Sequence, residues 1–268
     1  MIHLKSVSVK SKLPELASGF PFSVPAVQSL NEIEFTSPVT FLVGENGSGK
    51  STLLEAIACA AGSIAVGSDN TSADRTLDSV RKFANALKLS WSKRTHRGFF
   101  LRAEDFFGFA KRMHAMCEDL EAELRSVDER YRDRSAMSRG LAKMPLAKEL
   151  AAIREKYGEG LDTYSHGESF LTLFQSRFVP NGLYLLDEPE APLSPVRQLS
   201  FLAAVKDMVE QNGQFIIASH SPILMAFPNA AILSFDEGRI QKVAYEDLPH
   251  VTLTRAFLNN PLSYLKHL

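Results

Sequence analysis

A glycine-rich segment beginning at Gly44 carries the pattern G-x-x-x-x-G-K-[ST] in the residues GENGSGKS. Its glycines allow tight turns, so that successive backbone N–H groups can point inward at phosphate oxygens. Lys50 adds a positive charge over the β and γ phosphates, and the Ser51 hydroxyl suits Mg²⁺. We therefore predict a nucleotide-binding loop, called the phosphate loop below, with these residues: Gly44, Glu45, Asn46, Gly47, Ser48, Gly49, Lys50, Ser51 and Thr52.

Two adjacent carboxylates, Asp187 and Glu188, follow the apolar run GLYLL. Such a run is typical of a buried parallel strand, which would deliver both side chains at its carboxyl end. Asp187 suits the Mg²⁺ shell opposite Ser51, and Glu188 can polarise a water for attack on the γ-phosphate. Surface charge is the alternative, but the apolar strand and the phosphate loop argue against it.

His220 ends a second apolar run, QFIIAS. A lone histidine is more often structural than catalytic. This one, however, occupies the same kind of position as Asp187, at the carboxyl end of a predicted core strand. We therefore predict that His220 senses the γ-phosphate, and we count it with Glu188 and Lys50 as catalytic.

The segment TYSHGES contains Ser165 with Glu168 three residues later, ahead of an apolar run. This spacing is a capping box, which by itself only starts a helix. The hydroxyl, the N–H of Gly167 and the helix N-terminus could also form a second anion site. Both interpretations can hold together, and a γ-phosphate from a partner subunit could meet such a site. The predicted residues are Ser165, His166, Gly167 and Glu168.

These side chains must be positioned by alternating strands and helices. The apolar run VTFLV precedes the phosphate loop and the helix-forming TLLEAIACAA follows it. Upstream, two alternating stretches predict two strands of a small sheet beside the loop. Between them, Phe20 and Phe22 could stack on an adenine, although filling space under the sheet is the commoner role. Strands are also predicted at 87–91 and 98–103, and a helix at 195–211. A hairpin and one or two short helices are expected at the C-terminus.

A helical subdomain, residues 104–158, is predicted within a single domain spanning 1–268. Its first helix should have about seven turns and carry a heptad seam, with a second helix at 146–157 lying antiparallel to it. Packing against the main body is as good an explanation for the seam as an interaction role. The seam residues are Phe106, Ala110, Met113, Cys117, Leu120, Leu124, Val127 and Tyr131.

The composition of the chain bears on its core, its location and the role of its cysteines. The chain has 268 residues, and its 45% hydrophobic content is ample for a buried core. No stretch approaches the ~20 apolar residues that cross a bilayer, and the N-terminus has no signal-peptide core, so the cytoplasm is expected. Two cysteines, Cys59 and Cys117, are too few for a disulfide framework or structural zinc and should pack as small apolar side chains.

Charge gives no global indication of a nucleic-acid partner, since 30 basic residues balance 31 acidic ones. The densest basic stretch runs from Lys93 to Arg112 and includes SKRTHR, Arg102 and Lys111. Such a stretch could contact a nucleic-acid backbone, but a solvated face is the commoner explanation.

Taken together, five motifs in order make the chain resemble an ATP-binding-cassette (ABC) ATPase along nearly its whole length. They are GENGSGKST as Walker A, YSHGES as signature, LYLLDEPE as Walker B, APLSP as D-loop and ASHSP as the switch histidine. The resemblance is greater to the soluble branch related to chromosome-maintenance and recombination-repair ATPases, especially small stand-alone bacterial AAA-type ATPases. It implies an α/β P-loop fold with a mostly parallel core sheet, an antiparallel β subdomain and a short helical insert, with ATP and Mg²⁺ as ligands.

Three departures qualify this resemblance. The signature reads SHGE where transporter cassettes have a form close to LSGGQ, which weakens the transporter interpretation. Glu104 stands where the family has a Q-loop glutamine, so we expect it near Mg²⁺ or the attacking water. The helical insert is also far too short for the long coiled-coil arms of the chromosome-maintenance branch.

The resemblance implies a homodimer that encloses two ATP·Mg²⁺ between the phosphate loop of one subunit and residues 165–168 of the other. Three uses are open: a DNA-linked ATPase in repair or defence against foreign DNA, the ATPase subunit of a membrane transporter, and an ATP-dependent switch that recruits a protein through the helical insert. The first is preferred because of the resemblance and the basic stretch, and a membrane association is not expected.

Overall fold

The computed structural model describes residues 1–10, 19–66, 78–157 and 166–266. It divides into two compact units. The larger comprises Met1–Ala103 and Phe178–Leu268, and the smaller comprises Glu104–Arg177. The smaller unit thus begins where the helical subdomain was predicted to begin and also takes in the segment up to Arg177.

The strands of the larger unit form two sheets. Their strands are β1 (Leu4–Val9), β2 (Glu32–Glu34), β3 (Val39–Val43), β4 (Leu87–Trp91), β5 (Gly98–Arg102), β6 (Leu183–Asp187), β7 (Gln214–Ala218), β8 (Ala231–Ser234) and β9 (Gln241–Lys242). The six-stranded sheet has the order β5-β6-β7-β3-β8-β9, and only β9 runs antiparallel to its neighbour. Strands β3, β6 and β7 are buried at every residue, which explains their unbroken apolar sequences.

The second sheet has three antiparallel strands in the order β2-β1-β4. The two strands predicted upstream of the phosphate loop are therefore confirmed, and β4 completes the sheet. The buried amide of Gln214 joins the two sheets: its oxygen accepts from the N–H groups of His3 and Leu4, both at 2.8 Å, and its nitrogen donates to the Leu4 carbonyl at 2.9 Å. One side chain thus satisfies three backbone groups at the start of β1.

Helices cover these sheets in the larger unit. They are α1 (Pro25–Gln28), α2 (Lys50–Ala61), α3 (Asp78–Ala86), α7 (Pro195–Glu210), α8 (Pro222–Met225), α9 (Pro249–Asn259) and α10 (Pro261–Leu265). Helix α2 follows the phosphate loop and buries Leu53, Leu54 and Ile57 in a core shared with Val7 and Phe83. Cys59 packs against the same core as a small apolar side chain.

The smaller unit contains α4 (Ala103–Arg130, whose first residue belongs to the larger unit), α5 (Ala136–Tyr157) and α6 (His166–Arg177). On α4, Leu120 and Val127 of the predicted seam are buried. Two ion pairs join the helices, Asp128–Lys143 and Glu121–Arg154, each at 2.5 Å. The earlier residue of α4 pairs with the later residue of α5, so the two helices are antiparallel as predicted.

The predicted start of α5 was wrong. The second helix was expected to begin at Leu146 after a basic connection, but it begins at Ala136 and holds Pro145 in its interior. Alanine, methionine, leucine and lysine in that stretch favour helix. An interior proline removes one backbone donor and its ring crowds the carbonyl four residues earlier, but this cost does not end the helix at Pro145.

Candidate nucleotide-binding site

The phosphate loop connects β3 to α2, in the strand, loop and helix order that phosphate binding requires. Gly44 (φ 142°), Gly47 (φ 81°) and Gly49 (φ 105°) adopt positive φ values that favour glycine. A Cβ at Gly49 would also lie 2.7 Å from a methyl group of Val24. The loop backbone therefore depends on glycine for its conformation and, at Gly49, for space.

Lys50 is buried, and its ammonium lies within the loop. It donates to the carbonyl oxygens of Gly44 at 2.7 Å and Glu45 at 2.9 Å. Burial lowers the pKa of Lys50, while the carboxylates of Glu188 and Asp187 act in the opposite direction. The charge is thus partly desolvated and held beside the loop carbonyls, where an anionic ligand would stabilise it.

Ser51 and Asp187 converge from α2 and from the end of β6. The Ser51 hydroxyl donates to Oδ1 of Asp187 at 3.0 Å. Burial raises the pKa of Asp187 to about 6, although the Ser51 hydrogen bond lowers it. A divalent cation would remove this penalty by stabilising the ionised carboxylate.

These residues fit a nucleotide with Mg²⁺. A hydroxyl and a carboxylate are hard oxygen ligands of the kind that Mg²⁺ prefers, and Mg²⁺ commonly completes its shell with phosphate and water oxygens. Across the described residues no cluster of three or more His, Cys, Asp or Glu could hold a metal alone, so phosphate and water would have to complete the shell. In the loop, the Ser48 hydroxyl is buried and lacks a hydrogen-bond partner within the described chain, as expected for a group that meets a ligand oxygen.

Glu188 turns away from the sheet directly after Asp187. Its φ is 49°, a left-handed value uncommon outside glycine, and its N–H donates to the Ala218 carbonyl at 2.9 Å. Its side chain is 47% exposed, with Oε1 3.7 Å from Nε2 of His220. The backbone thus directs one carboxylate, Asp187, into the protein and the next one toward solvent.

His220 is half-buried at the end of β7. Its Nδ1 lies 3.4 Å from Nε2 of His250, and its own Nε2 is buried without a hydrogen-bond partner in the described part of the chain. Burial lowers the pKa of His220, and the charge of Lys50 lowers it further. The neutral imidazole, with one donor and one acceptor nitrogen, is favoured.

Comparison with known proteins agrees with this geometry. Residues 23–134 match the family model described as an AAA domain. A nucleotide-free ATP-binding cassette from an ABC transporter superposes with a TM-score of 0.51 at 15% identity, covering 96% of this chain and 96% of that chain. The protein has the ABC-type ATPase fold.

Two further solved structures are similar to this chain. A Pyrococcus furiosus Smc head domain, bound to the C-terminal domain of ScpA, has a TM-score of 0.47 at 12% identity, covering 97% of this chain and 99% of that chain. A dimeric bacterial ABC transporter cassette has a TM-score of 0.45 at 18% identity, covering 92% and 100%. The search of curated proteins found no match. None of the helices described here is long and apolar enough to cross a membrane.

Sequence reasoning missed two carboxylates at this site, Glu190 and Asp236, and also His250. Glu190 is half-buried, and its Oε1 accepts from the His220 N–H at 2.6 Å and from the Ser219 hydroxyl at 2.9 Å. Burial raises the pKa of Glu190 despite these bonds. Asp236 accepts from the Glu45 N–H at 3.1 Å and so fixes the edge of the phosphate loop.

Of these residues, only Glu190 lies in a sequence motif that could have identified it. Glu190 lies within the DEPE motif and could have been chosen on that ground. Asp236 lies in the turn of the predicted C-terminal hairpin, and nothing local indicates that its side chain reaches the phosphate loop. His250 sits in the C-terminal segment and has no motif around it.

Part of the predicted site is not tested by this structure. Ser165 lies outside the described residues, and of His166, Gly167 and Glu168 only the backbone, in the first turn of α6, is described. Glu104 is exposed in the first turn of α4, in a different compact unit from Ser51. The signature segment and the metal role of Glu104 therefore stay predictions.

The two aromatic candidates for adenine stacking differ. Phe22 packs edge-to-face with Phe83, at 6.1 Å between ring centroids, and contributes to the core. Phe20 is 56% exposed. Filling the core accounts for Phe22, and only Phe20 presents an open aromatic face.

The basic stretch is not one continuous surface. Arg102 is buried, forms an ion pair with Glu55 at 2.9 Å and lies over the Phe100 ring. Its inclusion in a solvated or DNA-binding face was therefore wrong, because β5 carries it into the interior. The preceding residues Lys93, Arg94, His96 and Arg97 are exposed.

Proposed function

We propose that this protein binds ATP with Mg²⁺ and hydrolyses its γ-phosphate. The observation that carries the proposal is the 3.0 Å contact between Ser51 and Asp187 beside the buried ammonium of Lys50. It brings together a magnesium-type oxygen pair and a phosphate-type cation from motifs far apart in the sequence. ABC and AAA family likeness supports ATPase activity at the level of the family.

Each residue has a distinct part in the proposed reaction. The backbone of the phosphate loop and Lys50 hold the triphosphate, and Ser51 and Asp187 hold Mg²⁺, which would supply charge neutralisation at the phosphates. Glu188 orients a water and takes its proton as the water oxygen bonds to the γ-phosphorus. The bond from that phosphorus to the bridging oxygen breaks, and ADP leaves. His220 contacts the γ-phosphate.

The exposure of this face favours a second copy in the reaction. Residues 45–47 of the phosphate loop are exposed, and Glu188 is nearly half exposed. Phosphoryl transfer is favoured when bulk water is excluded and fixed dipoles replace it. We therefore propose that residues 165–168 of a second copy, at a helix N-terminus, close over the γ-phosphate. ADP lacks that phosphate, so hydrolysis would release the dimer.

Two variants test this proposal. Glu188→Gln removes the base and leaves the loop intact, so it should bind ATP·Mg²⁺ and accumulate as a dimer, measured by size exclusion with light scattering. A variant that binds ATP yet stays monomeric would exclude the closed dimer. Lys50→Ala should lose tight nucleotide binding in calorimetry, whereas Lys206→Ala, at an exposed position on α7, serves as the matched control. Undiminished affinity in Lys50→Ala would overturn the phosphate-loop assignment.

For the cellular use we propose a DNA-linked ATPase, supported by the exposed cations Lys93, Arg94 and Arg97. DNA should then stimulate ATP hydrolysis, with the effect falling steeply as salt rises. Replacing Lys93 and Arg94 by Glu should abolish the stimulation and leave the DNA-free rate unchanged. Co-purification with a membrane protein would favour the transporter alternative, and slow turnover indifferent to DNA would favour the regulatory switch.

A further inference from the structure

Helix α9 carries His250 to the switch histidine. His250 is the second residue of α9, between Leu248 and Val251, which are 1% and 3% exposed. From Thr252 to Asn259 every residue of the helix is exposed. Burial in α9 is therefore confined to its first turn, and that turn presents His250.

The two imidazoles meet through one pair of nitrogens. Nδ1 of His220 lies 3.4 Å from Nε2 of His250, with ring centroids 5.5 Å apart and the rings inclined at 60°. The opposite nitrogens, Nε2 of His220 and Nδ1 of His250, are buried and have no hydrogen-bond partner among the residues described. Nε2 of His220 faces the carboxylate of Glu188 at 3.7 Å.

This arrangement favours one choice of which nitrogen of each imidazole carries the proton. A neutral imidazole has one N–H and one lone pair, so one ring must donate and the other accept. If Nδ1 of His220 donated, the lone pair on its Nε2 would face a carboxylate oxygen of Glu188, which also carries lone pairs. In the opposite order, His250 donates and the Nε2–H of His220 points toward that carboxylate, which is electrostatically favourable.

We propose that His250 is a positioning residue, which holds His220 in the tautomer and orientation that present Nε2–H to the γ-phosphate. This inference rests on the proposed function of His220 as a phosphate contact. A donor facing the phosphate stabilises negative charge on it, whereas the other tautomer would place a lone pair there. Loss of His250 should therefore affect the chemical step more than ATP binding.

Two substitutions separate the hydrogen bond from packing. His250→Phe keeps the ring volume and loses the donor, and should lower kcat about tenfold, as for one lost neutral hydrogen bond, with KM for ATP within about twofold. His250→Gln places an amide N–H in the same part of the side chain and should retain at least about half of the wild-type kcat. Leu258→Ala, on the exposed part of α9, is the matched control and should behave as wild type. Equal kcat in the Phe and Gln variants would overturn the proposal.

Nuclear magnetic resonance tests the tautomer without catalysis. Histidine labelled with ¹⁵N, in nucleotide-free protein, should show His220 protonated at Nε2 in the wild type and a mixture of tautomers in His250→Phe. A wild-type His220 protonated at Nδ1 would refute the inference. If the expected tautomers are seen but the wild type does not hydrolyse ATP, the proposed function is at fault. If hydrolysis requires Glu188 but the tautomer is unaffected by His250→Phe, this inference is at fault.

Discussion

Replacing Asp187 by Asn should stabilise the magnesium-free protein. The carboxyl group is buried at the end of β6, and burial raises its pKa from 3.8 to about 6. At about 1.4 kcal/mol per unit, this difference corresponds to about 3 kcal/mol of destabilisation when the group is ionised in both the folded and unfolded states. An Asn side chain removes the charge and retains an oxygen that can accept the hydrogen bond from Ser51.

The pH dependence identifies the cause. Because the folded pKa of Asp187 is raised, its destabilising contribution is absent well below pH 4 and grows as pH rises. It is nearly complete above about pH 7. The Asn variant should therefore exceed the wild type in free energy of unfolding by about 3 kcal/mol at pH 7.5 and by about half as much at pH 5.0. Magnesium-dependent hydrolysis should be lost, since the ligand charge is gone.

Urea unfolding in EDTA without nucleotide measures this difference. The single tryptophan, Trp91, lies in β4 and reports on the larger unit, so its fluorescence follows the part of the chain that holds Asp187. Asp207→Asn, at an exposed position on α7, controls for the change in net charge. The reasoning is refuted if Asp187→Asn is less stable than the wild type at pH 7.5, or if the difference is equal at both pH values.

Three other changes have defined outcomes. Glu190→Ala should lower the free energy of unfolding by about 2 kcal/mol in urea, because the N–H of His220 and the hydroxyl of Ser219 lose their charged acceptor, and Glu190→Gln should lose less than half as much. Gln214→Ala leaves three backbone groups at the start of β1 unpaired and should cost about 3 kcal/mol, and an unchanged Tm would show that water replaces the amide. Gly49→Ala forces a positive φ and a close contact with Val24, so calorimetry should show ATP binding at least about tenfold weaker. Adding Val24→Ala should not restore it, since the φ strain remains.

Local pattern was sufficient where the chemistry is encoded in contiguous residues. The phosphate loop, the apolar strand before Asp187 and the one before His220 each have a signal a few residues long, and the structure has each element in its predicted place. The heptad pattern of α4 likewise predicted its helix. Boundaries were less secure: the start of α5 was predicted at Leu146 and lies at Ala136, since local cues do not show whether a helix continues through Pro145.

Contacts between residues that are distant in the sequence could not be predicted from local pattern. Arg102 looked like part of a basic surface until β5 placed it against Glu55. Asp236 and His250 carry no motif, because they act through contacts made only when β8 and α9 are in place.

The sequence by itself determined which groups can meet a phosphate and a cation, since glycine positions, a lysine and two carboxylates fix that chemistry by type and spacing. Tertiary structure alone decided which of these groups share a buried environment and which stay exposed. Burial and hydrogen-bond partners set the pKa of Asp187 and the tautomer inferred for His220, and both depend on residues that are distant in the chain and adjacent only after folding.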